Sequence, residues 1–191
     1  MNELLKTIEK KVTEIFSLYE KYGDEEYGEG VTQLMHMVQA GNLAKQDGYD
    51  DEIVLAAFFH DIGHFLDNGK SMGIYGKQDH DKLGYDYLIE NGFSQRLAQL
   101  VASHVPAKRY LTFKNKEYYA GLSDASKITL EFQGGSMTPE EATQFEKDPL
   151  IEQYITIRRY DDLAKESALA VDPADVEVFR KMTVSYLAEQ K

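Results

Sequence analysis

The chain has 191 residues, no cysteine and a net charge of -12. That length can bury a sizeable core in one domain, and the missing cysteines exclude disulfides and thiolate metal sites. The acidity opposes nucleic acid and anionic lipid, which are held mainly by lysine and arginine on phosphate.

No stretch approaches the roughly 18 to 20 apolar residues of a membrane span, so the expectation is a soluble cytoplasmic protein without a nucleic-acid or membrane partner. The opening MNELLKTIEKK mixes acid, base and apolar residues, which suits an amphipathic helix better than a signal peptide. Through residue 23 that helix carries Leu4, Leu5, Ile8, Val12, Ile15, Phe16 and Tyr19 on one stripe. A second helix over 31–48 carries Leu34, Met37, Val38 and Leu43 and stops near Gly48. DDEIVLAAFFHDIG predicts a third, from an acidic cap to Gly63. Residues 67–79, with three glycines, read as a mobile linker.

HDKLGYDYLIENG predicts a helix stopped by Asn91-Gly92, and Ser94 caps another that Pro106 closes. Ser123 opens the next, which breaks at Gly134-Gly135. Thr138 begins another as cap, with Pro139 first in the helix and Glu141 three residues after the cap. Helices over 148–165 and from Asp172-Pro173 to 190 complete the chain. No alternating strand pattern and no repeat appears, so the fold class is all-α, one domain over 1–191.

All five histidines, His36, His60, His64, His80 and His104, fall between 36 and 104. His36 and His60 lie in apolar helical patterns, and His104 continues Leu97, Leu100 and Val101 at i, i+3, i+4 and i+7. Imidazoles buried together must share protons or share a metal. In FFHDIGH, His60 and Asp61 are about 100° apart on a helix and both face inward only at a helix end. Nitrogen and oxygen donors without sulfur suit iron, manganese, zinc or cobalt. An anionic ligand would need a local cationic pocket, for which Lys108, Arg109, Lys127, Arg158 and Arg159 are candidates.

GEGVTQLMH, FFHDIGH, GIYGKQDH, SHVPAKRYL, LSDASKITLEFQGG and IRRYDD together resemble the HD-domain proteins. The resemblance is to their mixed-valent di-iron oxygenase branch, which includes inositol oxygenase and the enzymes that cleave phosphonate C–P bonds. It implies a single helical HD-domain bundle with a di-metal site in its core. It also implies two irons, Fe(II) and Fe(III), with O2 as co-substrate. His36, His60, Asp61 and Asp161 would hold one iron, and Asp61, bridging, would hold the other with His80 and His104. Tyr154, Ile155, Arg158 and Asp161 share a helix face, which favours Asp161 over Asp124 and Asp162 as the late carboxylate.

By the same resemblance His64, Lys108 and Ser126 contact the substrate phosphonate, with Thr129 and Arg158 as additions, while Arg109, Lys127 and Arg159 are surface charges. Glu29, seven residues before His36, matches an amine-binding carboxylate. The branch's lid tyrosine stands three residues before that glutamate, whereas Tyr27 stands two before, so its lid role is open. The implied reaction converts a 1-hydroxy-2-aminoethylphosphonate, as primary amine or trimethylammonium, with O2 to phosphate and glycine or glycine betaine. The alternatives are an HD phosphohydrolase acting on a phosphate ester and a non-catalytic metal or ligand sensor.

Overall fold

A computed structural model describes residues 3–190. Helix α1 spans Glu3–Tyr22, α2 Gln33–Gln46, α3 Asp51–Phe59, α4 His80–Glu90, α5 Gln95–Ala102 and α6 His104–Lys114. Then come α7 Lys116–Gly121, α8 Asp124–Phe132, α9 Pro139–Phe145, α10 Ile151–Leu163 and α11 Pro173–Glu189. Among the described residues there is no strand, only the isolated bridges Glu26 to Thr32 and Ser71 to Lys77.

The central element is α3. Ile53 through Phe59 are all buried, so this helix is apolar around its whole circumference, as a helix enclosed by others must be. Helices α2, α5, α10 and α11 pack on it. Phe58 stacks on Phe16 at 5.7 Å and on Phe179 at 4.4 Å, joining α1, α3 and α11 through one aromatic column. The outer helices keep a single apolar stripe, as α1 does with Ile8, Val12, Ile15, Phe16 and Tyr19. A smaller cluster of Tyr110, Met137 and Ala142 joins α6 to α9.

Local chemistry sets the ends. Thr32, Asp50, Ser94, Ser123 and Thr138 each accept an N-terminal backbone N–H through the side chain. Thr138 and Glu141 form the reciprocal capping box that their spacing predicts.

Three expectations need correction. First, α3 does not run to Gly63. It ends at Phe59, His60 is its C-cap, and Asp61 leaves the helical region at φ -102° and ψ 7° before a 3-10 turn over Ile62–Phe65. Second, Pro106 closes nothing. The break is at Ser103, and Pro106 lies in the first turn of α6, where its missing N–H has no helical partner to lose. Helices α6 and α7 have no counterpart in the predicted elements. Third, residues 67–79 are a folded loop with a 3-10 turn over Gly73–Tyr75, a buried Met72, and bonds from Met72 N–H to Gly76 O and from Gln78 N–H to Lys70 O.

The 3-10 turn meets the start of α4 so closely that a Cβ on Gly63 would lie 1.9 Å from His80 O and 2.9 Å from Gly84 N. Both are backbone atoms and cannot swing aside. Gly63→Ala is therefore expected to destabilise the protein by at least about 3 kcal/mol, or to prevent folding. Gly121, with nothing within 4 Å of an added Cβ, should tolerate Ala at no loss. Urea unfolding of the two variants beside the parent checks this.

Candidate metal centre

Four helix ends deliver imidazoles to one point. His36 comes from the first turn of α2 and His60 from the C-cap of α3, while His80 opens α4 and His104 opens α6. Each is buried, and each Nδ1 faces a backbone carbonyl. His36 donates to Ala164 O at 2.8 Å, His60 to Ala57 O at 2.7 Å, His80 to Lys77 O at 2.7 Å and His104 to Val101 O at 2.8 Å. A carbonyl can only accept, so the proton of the neutral ring is on Nδ1 and Nε2 presents a lone pair.

Those lone pairs converge. The Nε2 atoms of His36 and His60 are 3.0 Å apart, and those of His80 and His104 are 2.7 Å apart. Two such nitrogens repel unless a proton or a cation sits between them. Nitrogens each about 2.1 Å from one ion, at right angles, would be about 3 Å apart.

Asp61 lies between the two pairs. Its Oδ2 is 3.7 Å from His36 Nε2 and 3.6 Å from His60 Nε2. Its Oδ1 is 3.4 Å from the Nε2 atoms of both His80 and His104. One carboxylate oxygen thus faces each imidazole pair. Burial works against charge on Asp61, yet its carboxyl lies far below the usual range, through attraction to whatever positive charge the ring cluster of His60, His64, His80 and His104 carries. Asp161 completes the first group, with Oδ1 3.5 Å from His36 Nε2. Its other oxygen accepts from Arg158 Nη1 at 2.7 Å. A carboxylate facing two lone-pair sets fits divalent or trivalent cations of the first transition row, with the carbonyls behind each ring fixing its orientation.

His64 is built the other way round. The Lys77 N–H donates to its Nδ1 at 3.0 Å, so that nitrogen accepts and Nε2 carries the proton. Gly76 makes this possible: its φ is 80°, and an added Cβ would strike His64 Nδ1 at 2.5 Å. Burial and the neighbouring His80 push His64 well below the ordinary imidazole range, which keeps it neutral. It offers the cavity a donor where the other four offer acceptors. Its ring stacks on His80 at 3.9 Å and is covered by Tyr27 at 4.7 Å.

The cavity beside these groups is also lined by Glu29, Gln33, Lys108, Ser126, Thr129 and Gln133. Lys108 is buried and donates to Thr129 Oγ1 at 2.9 Å. Ser126 donates to Glu29 Oε1 at 3.1 Å. Tyr27 reaches the cavity, but its hydroxyl donates to Glu25. Arg158 also lines it, with Nε donating to the Tyr118 hydroxyl at 2.9 Å and Nη2 paired with Asp162. Its fork is thereby turned to Asp161 and Asp162, as a support behind the carboxylate. Arg109 pairs with Glu141 and Lys127 bonds Ala120 O, both away from the cavity.

Gln33, Gln133 and Lys165 escaped sequence reasoning. The first two line the cavity with buried side-chain oxygens that accept no hydrogen bond. Their signal was spacing: Gln33 is three residues before His36, and Gln133 is four after Thr129.

The HD domain family profile matches residues 33–164. The hydroxymethylphosphonate dioxygenase of Gimesia maris is 40% identical over 88% of this chain and 85% of its own. The [1-hydroxy-2-(trimethylamino)ethyl]phosphonate dioxygenase (glycine-betaine-forming) of Leisingera caerulea is 39% identical over 80% of this chain and 79% of its own. An uncharacterized protein of Acanthamoeba polyphaga mimivirus is 41% identical over 98% of this chain and 87% of its own. No described helix is long and apolar enough to cross a membrane.

Burial, reinforced by the charge of Arg158, pushes Lys108 down to about 7. Below that pH the folded protein bears the cost of a buried ammonium. Between about 7 and about 10.4 the unfolded chain holds the proton and the folded one does not, so this contribution to stability rises with pH. Lys108→Met should therefore be more stable than the parent by on the order of 1–3 kcal/mol below pH 7. The gain should fade toward pH 10, as read by urea unfolding at pH 6, 8 and 10.

Proposed function

Since this chain belongs to the HD-domain family, in the oxygenase branch of its phosphonate dioxygenase relatives, we propose that it cleaves the C–P bond of a 1-hydroxyphosphonate with O2. The substrate is a 1-hydroxy-2-aminoethylphosphonate, as primary amine or trimethylammonium, and the products are phosphate and glycine or glycine betaine. The observation that carries this reading is the opposite proton placement on His64 and on the other four imidazoles. A site built only to bind cations would present lone pairs throughout. This one sets a neutral N–H donor and a buried lysine beside the lone pairs, as an anion lying against the metals requires.

His36, His60, Asp61 and Asp161 would hold one iron, and Asp61, His80 and His104 the second. When bound, the Fe(II)/Fe(III) pair supplies O2 activation and electron transfer. The protein's part is placement and charge. Asp61 would present one oxygen to each of two cations, and the carbonyl tethers would keep the Nε2 atoms of the four rings turned toward them. His64 donates Nε2–H to a phosphonate oxygen. An anion beside Lys108 would draw its proton back, so that Lys108 supplies positive charge in a protein of net charge -12, with Thr129 fixing its ammonium. Ser126, in the first turn of α8, would turn its hydroxyl from Glu29 to a phosphonate oxygen, leaving Ser123 and Lys165 on Glu29 Oε1. Tyr27, Met72 and Tyr75 wall the cavity and limit water. The reaction balances with no external reductant: one R–CH(OH)–PO3H2 and one O2 give one R–COOH and one H3PO4. The C–H and C–P bonds of the carbinol carbon are replaced by bonds to oxygen.

In an oxygen electrode, the iron-loaded protein should consume one O2 per phosphate released, and only with a 1-hydroxyphosphonate. Phosphate released from an ester without O2 would favour hydrolysis instead. Metal analysis separates the residue roles: Asp61→Ala should lose both irons, and His36→Ala should lose at least one. His64→Ala should keep its iron while KM for the phosphonate rises by roughly tenfold or more. Iron loss in the His64 variant would remove that residue from the phosphonate site.

A further inference from the structure

Glu29 is held in an asymmetric way that neither metal binding nor phosphonate binding requires. Three donors converge on its Oε1: Ser123 Oγ at 2.9 Å, Ser126 Oγ at 3.1 Å and Lys165 Nζ at 2.9 Å. No described residue donates to its Oε2, although the side chain lines the cavity. Lys165 is not a cavity-lining residue. It follows α10 and reaches Glu29 from a surface hollow shared with Tyr118, Ser123 and Asp162. One oxygen is thus anchored from behind and the other is left open.

We propose that Lys165 and Ser123 are positioning residues that anchor Glu29 Oε1, leave Oε2 to accept an N–H from the ammonium group on the carbon next to the carbinol, and so make this pocket favour a primary amine over a quaternary ammonium. This rests on the phosphonate reading above. The reason is charge and geometry. Lys165 already balances the Glu29 carboxylate, so this end of the pocket offers a directed acceptor rather than net negative charge. A primary ammonium can donate to such an oxygen in a charge-assisted bond. A quaternary ammonium has no N–H and depends on net charge or on open aromatic faces. Two tyrosines line the cavity: the His64 ring lies against Tyr27 at 4.7 Å, and the Tyr75 ring packs beside Gly28, so neither adds to a cage of open faces around Glu29. Ser123 is doubly committed, since its hydroxyl also accepts the Ser126 N–H as the α8 cap, which fixes where its proton points.

The test is anaerobic equilibrium binding to the iron-loaded protein, with O2 uptake as a second readout. The ligands are 2-amino-1-hydroxyethylphosphonate, its trimethylammonium form and hydroxymethylphosphonate. The parent should bind the primary amine at least about tenfold more tightly than the trimethylammonium form, the difference one charge-assisted bond supplies. Lys165→Met should cut the advantage of the primary amine over hydroxymethylphosphonate about tenfold, through KM and not kcat, and Lys165→Arg should retain it. If Lys165→Met does not fold, Lys165→Gln carries the same expectation.

Tighter binding of the trimethylammonium form by the parent would overturn the inference while leaving the oxygenase reading intact. So would a Lys165 variant that weakens all three ligands equally, which would assign Lys165 to the phosphonate or to the fold. Failure of all three to support O2 uptake would overturn the reading on which the inference rests.

Discussion

Each of four buried imidazoles is tied through Nδ1 to a main-chain carbonyl, and everything at the centre depends on that tether. It places the proton, turns the ring and points a lone pair inward, where the pairs meet at 3.0 Å and 2.7 Å. Three of the carbonyls belong to the residue three positions before the histidine, so the tether is local and arises from the helix end itself. The fourth, Ala164 O on His36, comes from the residue just past α10 and couples that helix to the site. Asp61 can face both pairs because α3 stops one residue before His60. The chain then turns into a 3-10 segment close against His80, which only glycine at 63 allows.

Around this centre two buried cations and one half-buried one have separate tasks. Arg158 holds the outer oxygen of Asp161 and is itself held by Asp162 and Tyr118, so that the inner oxygen is presented to His36. Lys108 stands at the cavity with Thr129, and Lys165 balances Glu29 from outside. Arg158 gains most from this placement, because low dielectric strengthens its pairing with two carboxylates, whereas Lys108, bonded to a neutral hydroxyl, bears a desolvation cost.

Helix existence was readable wherever the apolar period and a capping residue agreed, as at Thr32, Asp50, Ser94, Ser123 and Thr138. Reading failed where a residue has two local meanings. Pro106 reads as a stop, yet a proline also suits a first turn, and only the Ser103 break distinguishes these uses. The glycines of 67–79 suggested mobility, yet Gly76 is where the backbone passes His64 and delivers the Lys77 N–H to its ring. Gln33 and Lys165 were invisible for another reason: polar residues at a helix start or just past its end are usually solvated.

Period and composition, which are properties of neighbouring residues, carry the all-α class, the crowding of histidines into about one third of the chain, and the inward placement of His36, His60 and His104. Tertiary structure decided which nitrogen of each ring is free, that Asp61 faces two pairs, and that Glu29 has one anchored and one open oxygen. Apart from the tethers of His60, His80 and His104, each to the carbonyl three residues before it, those features depend on contacts spanning from 13 residues, between Lys77 and His64, to 136 residues, between Lys165 and Glu29, and at those separations no local pattern carries the information.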